Sequence, residues 1–74
     1  MTDGGQSTKE IAALLRQERR ARHISQKEVG AKSGIPGNRI CEYERGITSP
    51  SLATILKWTK GLGLRLTFDL EDDP

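Results

Sequence analysis

Apolar and polar residues along most of the chain recur with the period of an α-helix. A first helix is predicted from Thr8 to about Arg22, because four of its residues recur at the three- and four-residue spacings that share one helix face. These residues are Ile11, Leu14, Leu15 and Arg19. Ser7 and Glu10 have the spacing of a capping box, in which a serine oxygen and a glutamate carboxylate satisfy exposed backbone amides, and they mark the start of this helix.

A second and a third helix follow with a very short connection between them. The second is predicted over residues 26–33, since Ser25 and Glu28 repeat the capping-box spacing. The third is predicted over about residues 37–45 and is ended by the next glycine. Only residues 34–36, Gly-Ile-Pro, lie between the two helices, and a connection of this length forces a sharp corner.

A fourth helix has its own start signal, Ser49 followed by Pro50. Serine caps a helix, and proline at the first helical position lacks an amide that would be unpaired anyway. The pattern predicts an apolar stripe at Leu52, Ile55, Leu56, Thr59 and Leu62. Gly61 and Gly63 are expected to end the helix.

The period changes to two after the fourth helix. Residues 64–70 alternate apolar and polar side chains, which is typical of a β-strand, and the apolar ones are Leu64, Leu66, Phe68 and Leu70. A single strand leaves its backbone groups unpaired, so we expect it to pair antiparallel with the same strand of a second subunit, in a homodimer. The alternative is a frayed tail, or irregular coil packed on the first helix.

The third helix has an apolar inner face and a polar outer face. At about 100° per residue, turning Ile40 inward brings Tyr43 and Glu44 to the same side. The opposite face then carries Asn38, Glu42 and Arg45, with Arg39 and Cys41 at the flanks. Asparagine, arginine and glutamate hydrogen-bond base edges in the DNA major groove, although an ordinary solvated helix face has the same composition.

Charge is distributed unevenly along the chain. Residues 8–65 contain all twelve basic residues but five of the ten acidic ones, a local excess of seven positive charges. A basic body favours a polyanion such as double-stranded DNA, and an ordinary solvated surface is the plainer explanation.

The sequence offers little for catalysis or for a cofactor. His23 and Cys41 are each the only residue of their type, too few for a metal site or an internal disulfide, and there is no phosphate-binding glycine loop. No apolar run is long enough for a signal peptide or a membrane helix. We therefore expect a cytoplasmic, nucleoid-associated protein that is not an enzyme and uses no cofactor or metal.

The stretch ISQKEVGAKSGIPGNRICEYERGITSPSLATILKWTKGLGL resembles the lambda-repressor and Cro-like helix-turn-helix domains of the Xre type. The shared pattern is an arginine, Ser-Gln at the start of a helix, a Gly-Ile corner, an isoleucine, and Glu-x-Gly before a proline-started helix. The resemblance covers about Leu14 to Gly63. It implies a DNA-binding domain whose third helix enters the major groove.

Phosphate binding is assigned to Gln26, Lys27 and Arg39. The resemblance implies a phosphate contact for Gln26, and Lys27 lies beside it at the amino end of the second helix, where amides and the helix dipole favour an anion. Arg39 is added because it flanks the outer face of the third helix.

Base reading is assigned to Gly37, Asn38, Glu42 and Arg45. The resemblance implies the first three, and Arg45 shares their outward face. Pro36 stands where the family often has a threonine or serine cap, and Gly37 has no side chain with which to read a base, although its backbone can approach DNA closely. Asn38 and Glu42 then carry more of the discrimination, and DNA shape supplies the rest.

One basic and one acidic residue are predicted to point into the core. Arg19 stands one turn beyond Leu15 on the core face of the first helix, and Glu44 stands one turn beyond Ile40 on that of the third. The family resemblance implies the same pair. We expect Arg19 and Glu44 to form an ion pair that fixes the first helix against the third.

The end of the chain is similar to the HipB-type antitoxins, because a Leu-Gly-Leu step leads into the alternating residues. That branch implies an intersubunit sheet, repression of the protein's own operon and a toxin protein as a further partner. Phage repressors share the DNA-binding module without requiring the strand. The acidic residues near the end either meet a basic toxin or form a disordered, solubilising tail.

These observations predict a mainly α protein, a compact four-helix lambda-repressor-like domain with a C-terminal β-strand paired across a homodimer. We divide it into a flexible N-terminus (1–6), a helix-turn-helix domain (7–63), a dimerising strand (64–70) and an acidic tail (71–74). The predicted function is sequence-specific DNA binding by a homodimeric repressor at a palindromic operator. The alternative is a protein-interaction module with little DNA specificity, which Gly37 favours because it weakens the reading face.

Overall fold

The computed structural model describes residues 4–67, which fold into four helices around one core. The helices are α1 (Gly4–Ala21), α2 (Gln26–Ser33), α3 (Gly37–Glu44) and α4 (Leu52–Gly61). α1 packs on α3 and α4, and α2 packs on the same two helices. This arrangement confirms the predicted mainly α, four-helix fold.

The first helix begins earlier than the sequence analysis predicted. α1 begins at Gly4 rather than at Thr8, so Ser7 lies within the helix and the Ser7–Glu10 spacing does not mark the start of the helix. A separation of three residues is also one turn of any helix interior, which is why this signal was misleading. Of the predicted N-terminal segment, residues 4–6 are helical and residues 1–3 lie outside the described residues.

α2 has the predicted bounds. Ser25 Oγ accepts a hydrogen bond from the amide of Glu28 at 3.0 Å, which caps the start of the helix. At its end, Gly34 adopts a left-handed conformation with a φ of 77°, and the amides of Gly34 and Ile35 both donate to the carbonyl oxygen of Gly30. The corner therefore begins at a residue that reaches this conformation without a steric cost.

The start of α4 differs from the prediction. Its cap is Ser51, whose Oγ accepts a hydrogen bond from the amide of Thr54 at 3.1 Å, whereas Ser49 and Pro50 precede the helix. Serine occurs on both sides of Pro50, and proline restricts the residue before it to extended conformations. The proline thus marks a helix boundary but does not decide which serine forms the cap.

The core receives side chains from all four helices and from the corner. Its buried apolar residues are Ala12, Leu15, Val29, Ile35, Ile40, Tyr43, Ile55, Trp58 and Leu62. The ring centroids of Tyr43 and Trp58 lie 6.0 Å apart, so α3 and α4 meet through aromatic side chains.

Three leucines that the pattern assigned to inner faces are exposed. They are Leu14, Leu52 and Leu56, with exposed fractions of 58%, 53% and 46%. Leu14 lies roughly a third of a turn from the row formed by Ala12 and Leu15, and Leu56 lies about 100° round the helix from Ile55. The apolar stripes are therefore wider than the faces that the other helices cover.

The predicted strand is not formed in the described part of its segment. Residues 64–67 are irregular, the amide of Leu64 donates to the carbonyl oxygen of Thr59 at 2.8 Å, and Leu64 and Leu66 pack against the core. A strand needs a hydrogen-bonded neighbour, and residues 4–67 contain no other strand to provide one. Phe68, Leu70 and the predicted tail, residues 71–74, lie outside the described residues.

No helix within residues 4–67 combines the length and the apolar character that a membrane span requires. In the same part of the chain, no three His, Cys, Asp or Glu side chains come together as a metal site.

Candidate nucleic-acid interface

The corner between α2 and α3 sets the direction of α3. Ile35 is buried beneath the corner, and Pro36 precedes α3 with a φ of −57° and a ψ of 142°. The carbonyl oxygen of Pro36 accepts the amides of Arg39 and Ile40 at 2.9 and 3.1 Å, but Pro36 provides no side-chain cap. The first amides of α3 therefore receive no side-chain cap from Pro36, and a helix start without such a cap suits an external anion.

α3 lies with one face in the core and the opposite face on the surface. The inner residues Ile40, Tyr43 and Glu44 are buried. Asn38 and Arg45 are exposed, and the Glu42 side chain is 37% exposed. The structure thus brings three of the four predicted base-reading residues to the surface of one short helix.

Gly37, the fourth, faces α2. A Cβ added to Gly37 would lie 3.6 Å from Lys27 Cα and 3.9 Å from the carbonyl oxygen of Gln26. The start of α3 is therefore packed against the first turn of α2, so the predicted phosphate-binding residues Gln26 and Lys27 lie beside the start of the helix that carries the base-reading residues.

Arg39 is engaged by its own helix. Its Nη1 lies 3.4 Å from Glu42 Oε1, and its guanidinium carbon lies 5.9 Å from the centre of the Tyr43 ring. The ion pair is largely exposed and contributes little to stability. The Arg39 guanidinium also offsets part of the negative charge that Glu42 places on the outer face of α3.

The structure brings Arg19 and Glu44 together behind α3. Arg19 donates from Nε to Glu44 Oε2 at 2.7 Å and from Nη2 to Glu44 Oε1 at 3.0 Å. Its Nη1 donates to the carbonyl oxygen of Ile24 at 2.7 Å, which ties the connection between α1 and α2 to the same guanidinium. The Glu44 side chain is only 1% exposed, so this bidentate pair is charge-assisted and shielded from water.

Gln26 and Arg16 belong to the same cluster, which the sequence analysis missed. Gln26 Nε2 donates to Glu44 Oε1 at 3.0 Å, and Arg16 Nε lies 3.9 Å from that oxygen with half of its side chain exposed. A buried carboxylate has more acceptor sites than one arginine fills, and this was the signal for further donors. Arg16 thus places an additional cation beside Gln26.

Gly30 is a second residue that the sequence analysis missed. A Cβ added to it would lie 2.5 Å from the carbonyl oxygen of Ile35 and 3.2 Å from the amide nitrogen of Gly37. Glycine inside a helix lowers its stability, so a close approach of backbone is the usual reason for its presence. Here it allows α2 to contact the corner and the start of α3 directly.

Replacing Gly30 by alanine is expected to lower the free energy of unfolding by about 1 to 2 kcal/mol. The added Cβ meets backbone atoms, which cannot move aside as a flexible side chain can, so the clash costs about 2 to 3 kcal/mol and outweighs the gain of about 1 kcal/mol in helix propensity. Urea denaturation followed by the fluorescence of Trp58, the single tryptophan, measures the change. Gly37→Ala is the matched control, because its Cβ meets only ordinary contact distances, and equal behaviour of the two variants would contradict the prediction.

A helix packed on the core (α2), a sharp corner and a following short helix with a polar, exposed face (α3) define a helix-turn-helix motif. A family model described as helix-turn-helix matches residues 15–68. The chain therefore belongs to the helix-turn-helix family, in the lambda-repressor-like Xre type that the sequence resembles.

The chain is also similar to a longer protein of Sinorhizobium fredii, the uncharacterized HTH-type transcriptional regulator y4dL. The two are 34% identical over 59 residues, which are 80% of this chain and 30% of that protein. This chain thus spans less than a third of the length of that relative.

Proposed function

We propose that this chain is a sequence-specific DNA-binding transcriptional regulator that acts as a homodimeric repressor at a palindromic operator. The observation that carries the proposal is the placement of α3, which Ile40 and Tyr43 anchor from behind while Asn38 stands exposed in its first turn. A helix held in this way is able to enter the major groove. Membership of the helix-turn-helix family and the similarity to a protein named as a transcriptional regulator support the same function.

Base recognition is proposed for the surface of α3. Asn38 bonds an adenine edge through its amide, Arg45 bonds guanine, and Glu42 accepts from a cytosine amino group. Gly37 faces α2 and adds no side chain to this surface, so any contribution that it makes to recognition comes from its backbone. Because Glu42 is paired with Arg39 in the free protein, recognition through Glu42 requires this weak pair to open.

Phosphate binding is proposed for the edge where α2 begins. Gln26 and Lys27 lie in the first turn of α2, where the helix dipole favours an anion, and Arg16 adds positive charge beside Gln26. Arg39 is proposed to bind a phosphate from the flank of α3. These contacts fix the register of the protein on the duplex and make its affinity depend on salt, because bound phosphates release counterions.

Homodimerisation through Leu64, Leu66, Phe68 and Leu70 completes the proposal. A two-fold dimer presents two copies of α3 and selects an inverted repeat with half-sites about 34 Å apart, or one DNA turn. Binding to such an operator represses transcription, and the repressed genes include the protein's own operon, as in antitoxins and phage repressors. The proposed location is the cytoplasm, at the nucleoid.

Gly37, which offers no side chain to a base at the start of α3, favours a second candidate function, a protein-interaction module. With this function the chain binds a toxin or another protein and has little DNA specificity. Selection from a random double-stranded DNA library at near-physiological salt separates the two functions. Enrichment of an inverted repeat supports the repressor, and a folded dimer that enriches no motif supports the interaction module.

At the selected operator, Asn38→Ala is expected to weaken binding by about 1 to 3 kcal/mol and to relax the preference at one base pair of each half-site. The reason is that the variant loses a base contact and leaves phosphate contacts intact. Fluorescence anisotropy with a set of single-base operator variants measures both effects.

Lys27→Ala is the contrasting variant. It is expected to weaken binding to all sequences alike and to reduce the salt slope of the affinity by about 1. A uniform loss from Asn38→Ala, with no change in base preference, would count against the base-reading role of Asn38.

A further inference from the structure

An open groove runs between α4 and the segment that follows it. Leu56, Leu64 and Leu66 line the groove, and its volume is about 480 Å³. Since one water occupies roughly 30 Å³ in the liquid, this groove has room for several side chains. Leu52, one turn from Leu56, extends the apolar surface along α4, and a contiguous surface of this kind is typical of a protein contact.

Basic residues border the same groove. They are Lys57, Lys60 and Arg65. Such a border repels a basic partner and attracts an acidic one. Directly after the groove, residues 68–73 read Phe-Asp-Leu-Glu-Asp-Asp, which combines two apolar side chains with four carboxylates. This segment complements the groove in both charge and apolar character.

We infer that the groove binds residues 68–73 of a second copy of this chain, in an antiparallel pairing whose two-fold axis passes through Thr67. The inference rests on the proposed homodimer and specifies where and in which register its chains meet. The chain's own residues are poorly placed to fill the groove. Leu66 forms part of its lining, so the same chain would have to reverse direction at once, and residues 67–73 contain neither glycine nor proline for such a turn.

The apolar residues select this register. With the axis at Thr67, Leu66 lies opposite the partner's Phe68, and Leu64 lies opposite the partner's Leu70. All four side chains fall on one face, because alternate residues of a strand point the same way. The two leucines that line the groove in the free chain therefore receive the two apolar side chains of residues 68–73.

The charged residues select the same register. With the axis at Thr67, Arg65 lies opposite the partner's Asp69, and two-fold symmetry repeats this pair. Opposite charges on directly facing residues stabilise an antiparallel pair, and like charges destabilise it. The carboxylates of residues 71–73 then continue towards Lys57 and Lys60.

Registers whose two-fold axis lies next to Thr67 pair the side chains less favourably. A shift of the axis by half a residue sets apolar side chains against polar ones throughout the pair. An axis at Leu66 directs a leucine of the partner against Leu62, which is already buried in the core. An axis at Phe68 sets Leu64 against the partner's Asp72.

Cysteine cross-linking tests the axis directly, in a Cys41→Ser background that removes the only native thiol. Thr67→Cys is expected to form a disulfide-linked dimer under mild oxidation, because residues facing each other on the axis lie about 4.5 to 5.5 Å apart at Cα, within disulfide range. Arg65→Cys is the matched control, since its two copies are offset by about 13 Å along the strands. Arg65→Cys combined with Asp69→Cys is expected to cross-link again.

A charge swap tests the register without cysteines. Arg65→Glu sets two carboxylates against each other in both symmetric pairs, and we expect the dimer dissociation constant to rise about 10-fold by sedimentation velocity. Adding Asp69→Arg restores opposite charges and is expected to restore the dimer. Phe68→Asp puts a charge opposite Leu66 and is expected to leave a monomer by sedimentation velocity. Circular dichroism is expected to show that this monomer is still folded.

The results separate this inference from the proposed function. A dimer that cross-links through Arg65→Cys alone but not through Thr67→Cys, or that the charge swap fails to restore, overturns the register. A chain that is monomeric at all concentrations, or that dimerises only after another protein binds, overturns the second copy as occupant. DNA selection is read out separately, so a cross-linked dimer that enriches no operator contradicts the proposed function alone.

Discussion

Replacing Arg19 by methionine is expected to lower the free energy of unfolding by about 3 to 5 kcal/mol, because it leaves a buried carboxylate without its ionic partner. Glu44 is 1% exposed and receives two of its three hydrogen bonds from Arg19. The variant also removes the donor to the carbonyl oxygen of Ile24, so the connection between α1 and α2 is loosened. Urea denaturation followed by the fluorescence of Trp58 measures the loss.

The double variant Arg19→Met with Glu44→Leu is the decisive comparison. Two apolar residues of suitable size leave no buried charge, so much of the lost stability is expected to return. Arg20→Met, on the exposed side of α1, is the matched control and is expected to be nearly neutral. A double variant no more stable than Arg19→Met would show that the loss came from packing or from the Ile24 contact rather than from the unpaired carboxylate.

Trp58→Ala is expected to cost about 3 to 5 kcal/mol, through lost burial and the cavity that remains. The side chain has no exposed surface, and its ring lies against Tyr43 on the inner face of α3. A domain of this size has about 5 to 15 kcal/mol of stability in total, so a large part of it depends on this residue. Because the variant lacks the only tryptophan, thermal unfolding is followed by far-ultraviolet circular dichroism instead of fluorescence.

Trp58→Phe is the matched variant, with an expected cost of about 1 kcal/mol. Phenylalanine keeps most of the apolar contact. Trp58 Nε1 is buried and has no hydrogen-bond partner among the described residues, so removing this group breaks no hydrogen bond there. An equally large loss from both variants would contradict the cavity explanation.

The architecture of the motif could be predicted from the sequence because several independent local signals agree there. The Ser25 cap, the left-handed glycine at residue 34 and the alternation of inner and outer residues on α3 all indicate the same corner. Each of them acts over four residues or fewer, which is the range over which a sequence pattern determines local geometry. The family comparison confirmed the helix-turn-helix type to which these signals point.

Two helix starts and some of the tertiary contacts could not be predicted, although the Arg19–Glu44 pair was. A three-residue Ser–Glu spacing and a serine before a proline are necessary but not sufficient for a cap, so Ser7 and Ser49 were assigned wrongly. Which leucines are buried depends on where other helices lie, and Leu14 and Leu56 fall just outside those faces. The hydrogen bond from Gln26 to Glu44 joins residues that are distant in sequence, so neither residue's local pattern reveals it.

The same hydrogen bond has a consequence for the thermodynamics of DNA binding. A free glutamine on a protein surface samples many rotamers, and ordering such a side chain on association costs about 0.5 to 1.5 kcal/mol of conformational entropy. Gln26 has already lost this freedom in the folded chain, because Glu44 accepts its amide and Arg19 holds Glu44 in place. If Gln26 contacts a DNA phosphate, the entropy of that contact has been lost during folding, and the association itself is correspondingly more favourable.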